Sequence, residues 1–338
     1  MKRIADASLK HLNSFSVEAR ARQLIELTSE QDLQAFISEH RFDAKRDVIL
    51  GGGSNILFAR DIEGSVVLNR ITGKKIIEES NNETLVQAHA GENWHKLVLW
   101  CLDQGLYGIE NLSLIPGLAG AAPMQNIGAY GVELADVLDS VQAVDLKSGQ
   151  TCEFNLPECQ LGYRTSRFKS VDAGRYLITG IRMRLHRTFT PNLAYKGLAE
   201  ELASMDIDTP TAQQVSEAVI RIRQRKLPDP KAVGNAGSFF KNPVVSRETA
   251  DALAEKYEAM PVYQVEEEAK LSAAWMIEEC GWKGRSVGGA AVSEQHALVL
   301  INKGDATGTE ILALAEAIQS SVQNRFGIKL QPEPLIIR

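Results

Sequence analysis

Cysteine is scarce in this chain of 338 residues: Cys101, Cys152, Cys159 and Cys280 are all there is, with no Cys-x-x-Cys pair. That spacing offers no disulfide framework and fits a reducing compartment. The six histidines, His11, His40, His89, His95, His186 and His296, show neither metal-ligand nor triad-like spacing. Each reads as structural or surface, and no catalytic metal is expected. Excess positive charge is missing too. A net charge of −6 argues against non-specific nucleic-acid binding, which needs a basic surface. No apolar run reaches the roughly 18 residues of a spanning helix. The start Met1-Lys-Arg-Ile-Ala-Asp6 has no hydrophobic secretory core. A cytoplasmic protein without membrane association is the expectation. Its 44% hydrophobic and 24% charged residues are those of an ordinary globular chain, and its length calls for two or three domains.

What is present alternates strand and helix. Ser29 followed by the stripe Leu33, Phe36 and Ile37 predicts a capped helix. A strand at 47–50 then runs into Gly51-Gly52-Gly53, opening an α/β domain of roughly 65 residues. Strands follow at 65–68 and 85–89, and Trp94, Leu97, Val98, Cys101 and Leu102 mark a helix ending at Gly105. The stretch 117–131 is rich in Gly, Ala and Pro without an apolar period, which predicts a loop that something must hold in place. Strands at 141–146, 151–154 and 176–185 make the middle strand-rich. Beyond Pro210 a helix runs through Val215, Val219 and Ile222 and stops at Leu227-Pro-Asp-Pro230. A helix around Trp275, a strand at 297–301 and a long helix carrying Ile311, Leu314, Ala315, Ile318 and Val322 complete the chain, with Gly327 as its C-cap.

Several segments carry chemistry. Glycines after a strand, as in Gly51-Gly-Gly-Ser-Asn55, let backbone N–H groups approach a pyrophosphate. The run is neither a Walker A loop nor Gly-x-Gly-x-x-Gly, and a plain tight turn is the commoner explanation. In Ile115–Gly131 small residues over a long span suit a large planar or extended ligand, since a structural loop is normally shorter or more polar. Gly162-Tyr-Arg-Thr-Ser-Arg-Phe-Lys169 brings three cations that hold a carboxylate or a flavin edge, or form a solvated basic turn. Arg221 to Lys231 concentrates five cations, suited to a nucleotide diphosphate or to solubility. In Gly234-Asn-Ala-Gly-Ser-Phe-Phe-Lys-Asn-Pro243, Ser238 lies between small residues and two aromatic walls, which suits a directed proton donor. It is not a Gly-x-Ser-x-Gly elbow. Pro332 and Pro334 fix the direction of Glu333 between them.

In this order, from Asn13 to Glu333, the segments resemble the family of UDP-N-acetylenolpyruvoylglucosamine reductases, flavoenzymes of peptidoglycan precursor synthesis. The resemblance rests on Leu50–Phe58, on Ile115-Pro-Gly through Gly128-Ala-Tyr-Gly131, on Gly162-Tyr-Arg164, and on Lys226-Leu-Pro-Asp-Pro through Pro243. It implies an α+β chain with the FAD-binding fold of the vanillyl-alcohol-oxidase (PCMH-type) superfamily. Two FAD-holding subdomains at 1–68 and 69–209 would be followed by an α/β substrate domain at 210–338, whose tail returns to the active site. It also implies non-covalent FAD, NADPH as reductant and UDP-N-acetylglucosamine enolpyruvate as substrate. Hydride then reaches the terminal enolpyruvyl carbon from the flavin and the proton comes from Ser238. Arg164 and Glu333 stabilise the enolate, Glu333 more readily if it carries a proton.

The same resemblance implies FAD contacts at Gly51, Gly52, Gly53, Ser54 and Asn55, and at Pro116, Gly117, Ala121, Gln125, Asn126, Gly128, Tyr130, Gly131 and Arg164. Substrate contacts would fall on Arg223, Lys226, Asn242, Tyr263 and Lys270, and on Tyr195, borne on the loop 191–198 of the family's longer branch. The loop 265–269 looks altered in length. Where the family commonly has Val-Arg after the glutamate, this chain has Pro334-Leu335, so a cationic substrate contact is either lost or supplied by another residue such as Arg285 or Arg338. No seam points beyond a monomer. Two rivals are another FAD oxidoreductase of this fold acting on an alcohol or sugar, and a non-catalytic UDP-sugar-binding protein. The context of Ser238 and the Tyr195 loop argue against the first, and bound flavin would argue against the second. Because the glycine loops offer no His or Cys for covalent attachment, acid precipitation should release all the flavin to the supernatant. A precipitate that stays yellow would refute this.

Overall fold

Ser29 caps the helix Glu30–Glu39, its hydroxyl accepting the Asp32 N–H at 3.1 Å and satisfying one of the donors that every helix start leaves open. The computed structural model describes residues 1–265 and 267–338; Glu266, in the loop 265–269, lies outside the described residues. Behind the capped helix, Val48–Leu50 pairs in parallel with Ile62–Asn69, Leu50 opposite Leu68. Arg20–Leu27 pairs in parallel along the other edge, and Lys2–Ser8 completes a four-stranded sheet.

The strand-rich middle is a five-stranded antiparallel sheet. Its order is Thr151–Asn155, Leu138–Asp145, Tyr176–His186, Glu83–His89, Lys74–Glu79. Helix Trp94–Asp103 lays Trp94, Leu97, Val98, Cys101 and Leu102 into a core shared with Val86, Val141, Ile181 and Met183. Burial pushes the thiols of Cys101 and Cys159 up to about 12. They are neutral core groups rather than nucleophiles.

The stretch 117–131 departs from the expected irregular loop. Ala119–Gln125 is a 3-10 helix containing Pro123, and Gly128–Ala129 pairs with Val132–Glu133 as a short hairpin. Small side chains with no period hide both elements, because backbone hydrogen bonds rather than an apolar stripe fix them. Gly117 accepts the Trp94 N–H at 3.1 Å, Ala119 donates to Glu92 at 2.8 Å, and Gly120 donates to Ala90 at 3.0 Å. This is what holds the loop in place.

Contacts divide the chain into two compact units: Met1–Ala7, Ala21–Gly52 and Ile62–Gln224 form one, and Ser8–Arg20, Gly53–Asp61 and Arg225–Arg338 the other. The second unit has a sheet ordered Gly234–Ser238, Val299–Asn302, Ala290–Val292, Ser286–Val287, and a smaller one ordered Val244–Ser246, Glu268–Leu271, Val262–Val265. Helix Gly308–Phe326 buries Ile311, Leu314, Ala315, Ile318 and Val322 and ends on Gly327 at φ 73°. Two distant segments join this unit through the backbone. Ser14 donates to Gly53 at 2.9 Å and accepts from Asn235 at 2.9 Å, while Leu335–Ile337 pairs in parallel with Ile56–Phe58. Among the described residues, no helix is long and apolar enough to cross a membrane.

Gly308, the first residue of the long helix, sits so close to this seam that a Cβ would overlap the Phe58 carbonyl. Gly308→Ala should therefore destabilise the protein by about 1–3 kcal/mol or more, read as a lowered midpoint in denaturant unfolding. An unchanged midpoint would contradict that packing.

Candidate active site

The residues singled out by sequence fall into two groups, one in each unit. In the second unit, Ser238 ends the strand Gly234–Ser238 opposite Val299, after a bulge between Asn235 and Ser238. Gly237 in that bulge has φ +69°, and no atom lies within 4 Å of where a Cβ would stand, so the turn beside Ser238 is open on that side. Asn235, almost fully buried, builds the turn with its side chain. Its Oδ1 accepts the Gly237 N–H at 2.9 Å, and its amide donates to Val233 at 2.8 Å and Pro228 at 3.0 Å. Phe239 and Phe240 are buried, as expected for walls.

Past Ser238 the chain runs antiparallel to the tail. Phe240 bridges Pro332, Lys241 donates to Gln331 at 2.9 Å, and the Glu333 N–H donates to the Phe239 carbonyl at 2.8 Å. The Asn55 amide reaches the Glu333 carbonyl at 3.4 Å, and Leu335 donates to the Asn55 carbonyl at 3.0 Å. Ser238, Glu333 and Asn55 are thus brought together by backbone contacts. Asn242 spends its Oδ1 on the Ala273 N–H at 3.0 Å, at the start of helix Ala273–Glu279. Tyr263 and Lys270 are cross-strand partners on the smaller sheet, Tyr263 half exposed at 52%. Lys226 stands close enough to the neutral-favouring His296 to help hold that imidazole below its usual range, after burial. The two arginines expected to compensate for Leu335 are engaged elsewhere: Arg285 stacks on Trp282 at 4.6 Å and Arg338 pairs with Glu316 at 3.1 Å.

The first unit gathers the rest. Gly162 and Thr165 exchange hydrogen bonds at 3.2 Å, placing Arg164 at the tip of a tight turn with φ 53°. Its Nη2 donates to the Gly128 carbonyl at 2.7 Å. Ser166 and Lys169 tie the same segment to Met124 and Gln125. Asn126, buried, donates to Glu133 Oε2 at 2.7 Å and accepts the Ala135 N–H at 3.0 Å. Asn111 donates to both the Tyr130 and Asn192 carbonyls, at 2.8 and 2.9 Å, and Asn192 donates to Gly131 at 3.0 Å. This fixes the Tyr195 loop, whose ring meets the Tyr130 ring edge-on at 5.1 Å. The Tyr130 hydroxyl hydrogen-bonds Arg223. Burial draws the Arg223 guanidinium below its usual range; Tyr130 opposes this and Arg164 adds to it. Gly52 packs on Gly117, a Cβ at Gly52 falling 2.8 Å from the Gly117 Cα, and Gly51 faces Ala121. These glycines are demanded by two approaching backbones, and the surface they make has no side chain beyond a methyl group. Asn111 and Asn235 carry no signal in the sequence beyond that of a polar residue in a loop, and His95 reads there only as a structural or surface histidine. A lone histidine carries no motif, and the asparagines would show only through the left-handed turns they support.

Two family models match this chain: an FAD binding domain over residues 21–155, and the UDP-N-acetylenolpyruvoylglucosamine reductase, C-terminal domain, over 229–337. Among curated proteins it is 44% identical to the UDP-N-acetylenolpyruvoylglucosamine reductase of Burkholderia multivorans over 99% of this chain and 97% of that protein. It is 46% identical to the enzyme of the same name from Azoarcus sp., over 98% and 97%. Among solved structures it superposes on the reductase from Thermus caldophilus with a TM-score of 0.67, at 23% identity, over 100% of this chain and 98% of the other.

Since Asn235 alone satisfies three backbone groups of the Ser238 turn, Asn235→Ala should lower unfolding stability by about 1–3 kcal/mol. Denaturant unfolding monitored by intrinsic fluorescence measures this; a wild-type midpoint would show that the side chain is dispensable.

Proposed function

The chain belongs to the UDP-N-acetylenolpyruvoylglucosamine reductase family, and from that premise we propose that it reduces UDP-N-acetylglucosamine enolpyruvate to UDP-N-acetylmuramate with NADPH, as a cytoplasmic monomer. By role it divides into FAD-holding segments at 1–68 and 69–209 and a substrate-binding segment at 210–338. FAD, when bound, carries hydride from NADPH to the enolpyruvyl double bond. The residues present fit that cofactor: Gly51, Gly52, Gly117 and Ala121 make a surface without bulk, and Pro116, Gln125, Asn126, Gly128, Tyr130 and Gly131 continue it. Gly53, Ser54 and Asn55 belong to the same motif.

The observation that carries the assignment of roles is the hydrogen bond from Glu333 N–H to the Phe239 carbonyl, which sets the carboxyl-bearing residue beside the residue following Ser238. Ser238 donates its hydroxyl proton to the carbon that does not take hydride. Arg164, aimed by its bond to Gly128, and Glu333, fixed from both sides, stabilise the charge that develops on the carboxylate side. A protonated Glu333 does this as a hydrogen-bond donor. Arg223 and Lys226 supply charge for the UDP-sugar, Asn242, Tyr263 and Lys270 contact it, and Tyr195 packs over the uridine.

Purified yellow protein should oxidise NADPH only when UDP-N-acetylglucosamine enolpyruvate is added, and active flavoprotein that fails to do so would defeat the proposal. In Ser238→Ala, NADPH should still bleach the flavin, while enolpyruvyl reduction falls by about 10²–10⁴-fold. Equal losses in the two half-reactions would remove Ser238 from its role.

A further inference from the structure

His95 sits in the first turn of helix Trp94–Asp103, where its Nδ1 accepts the Leu114 N–H at 3.0 Å. An imidazole nitrogen that accepts carries no proton, so the ring is neutral with its hydrogen on Nε2. Leu114 has φ 57°, a conformation that a bulky L-residue rarely adopts and that its surroundings must enforce. It is held at both ends: its N–H by His95, and its carbonyl by Arg223 Nε at 3.2 Å. A second tie joins the same loop to helix Ala212–Lys226, which carries Arg223, through the buried Ser113 and Ser216 hydroxyls at 2.7 Å. The residues that follow Leu114 are Ile115, Pro116 and Gly117.

We propose that His95 is a positioning residue for Arg223: by accepting the Leu114 N–H it locks the left-handed Leu114, whose carbonyl in turn orients the guanidinium. The proposal rests on the reading of Arg223 as a contact for the anionic UDP-sugar. Protonation of His95 would undo the arrangement in two ways. Nδ1 would turn into a donor facing the Leu114 donor, and an imidazolium would face Arg223, the charged group presented to it from helix Ala212–Lys226. Behind Arg223 stand Arg164, a second cation, and the Tyr130 hydroxyl. Burial first, and Arg223 second, hold the imidazole below its ordinary value. The neutral form is therefore the working one, and Arg223 loses its orientation only once the pH falls below the ordinary imidazole range.

The FAD-loaded enzyme tests this through KM and kcat for UDP-N-acetylglucosamine enolpyruvate between about pH 5 and 8. In His95→Asn the Oδ1 stands where Nδ1 stands, accepts the same N–H and does not titrate. Wild-type KM should rise about tenfold on the acid side with kcat changing about twofold at most, and His95→Asn should keep a near-neutral KM within about threefold of wild type without that rise. His95→Ala should show the raised KM at every pH. An acid rise retained in His95→Asn, or a wild-type KM in His95→Ala, overturns the proposal. Hydrogen exchange at the Leu114 amide provides a readout that needs neither substrate nor a folded alanine variant. Protection should be lost on acidification in wild type and kept in His95→Asn; protection independent of pH in both overturns the proposal. Wild-type protein inert toward the UDP-sugar would instead defeat the functional reading, with the exchange measurement still deciding the His95–Leu114 link.

Discussion

The last strand, Leu335–Ile337, finds its hydrogen bonds on Ile56–Phe58, and the placement of Glu333 beside Phe239 follows from that pairing. Pro332 and Pro334 have no N–H to satisfy, so the segment 332–335 brings two backbone donors to the seam. Both are used: Glu333 donates to Phe239 and Leu335 to Asn55. A backbone donor left unpaired in a half-buried strand is costly, so sliding the tail by one residue would trade a donor for a proline ring. The register that results fixes Glu333 between Asn55 and the residue after Ser238. The same glycine-rich motif therefore serves in both units, with Gly51 and Gly52 packed on the Gly117 loop, Gly53 bonded to Ser14 and Asn55 to the tail.

A second constraint is conformational. Among the described residues, eight non-glycine residues have left-handed φ, and four of them, Leu114, Asn126, Tyr130 and Arg164, belong to the group of residues in the first unit. Such conformations cost on the order of 1–3 kcal/mol each and persist only where neighbours over-determine them. Here the neighbours are identifiable. Asn126 is held by Glu133 and Ala135, Tyr130 by Asn111, Leu114 by His95 and Arg223, and Arg164 by the Gly162–Thr165 turn. Hydrogen bonds that compel a strained backbone also remove its freedom, which places donors and guanidinium groups before any ligand arrives.

Periodicity exposes the elements that bury one apolar face. Ser29 with Leu33 and Phe36, the Trp94 helix and the stripe from Ile311 to Val322 all stand where their spacing puts them. Elements stabilised otherwise stay hidden. Lys74–Glu79 is an edge strand with mostly exposed side chains, so it carries no apolar alternation. Ala119–Gln125 rests on backbone bonds to residues 90–94, and the hairpin beside it on its own backbone pairing. The pairing of Asn55 with Glu333 spans 278 residues, and nothing local announces it. At the site, the motifs were legible because glycine, serine and arginine at such spacing are the residue types that suit anion binding and proton donation. Asn111, Asn235 and His95 were not, since they act on backbone groups and any polar side chain in a loop looks alike until its partner is known.

Charge decides what the first unit's cluster is built to meet. Burial lowers the affinity of Arg223 for its own proton and Arg164 adds to it; a cation half removed from water beside a second cation favours an anionic neighbour. The Tyr130 hydroxyl relieves this only in part, being a neutral dipole. A carboxylate or diphosphate arriving there would remove the repulsion and gain charge-assisted hydrogen bonds at once. Leu335 brings no cation to the tail, and Arg285 and Arg338 are engaged elsewhere, stacked on Trp282 and paired to Glu316. Within the first unit, left-handed Leu114 accepts from Arg223 and left-handed Arg164 donates to Gly128, so strained turns hold both guanidinium groups in place.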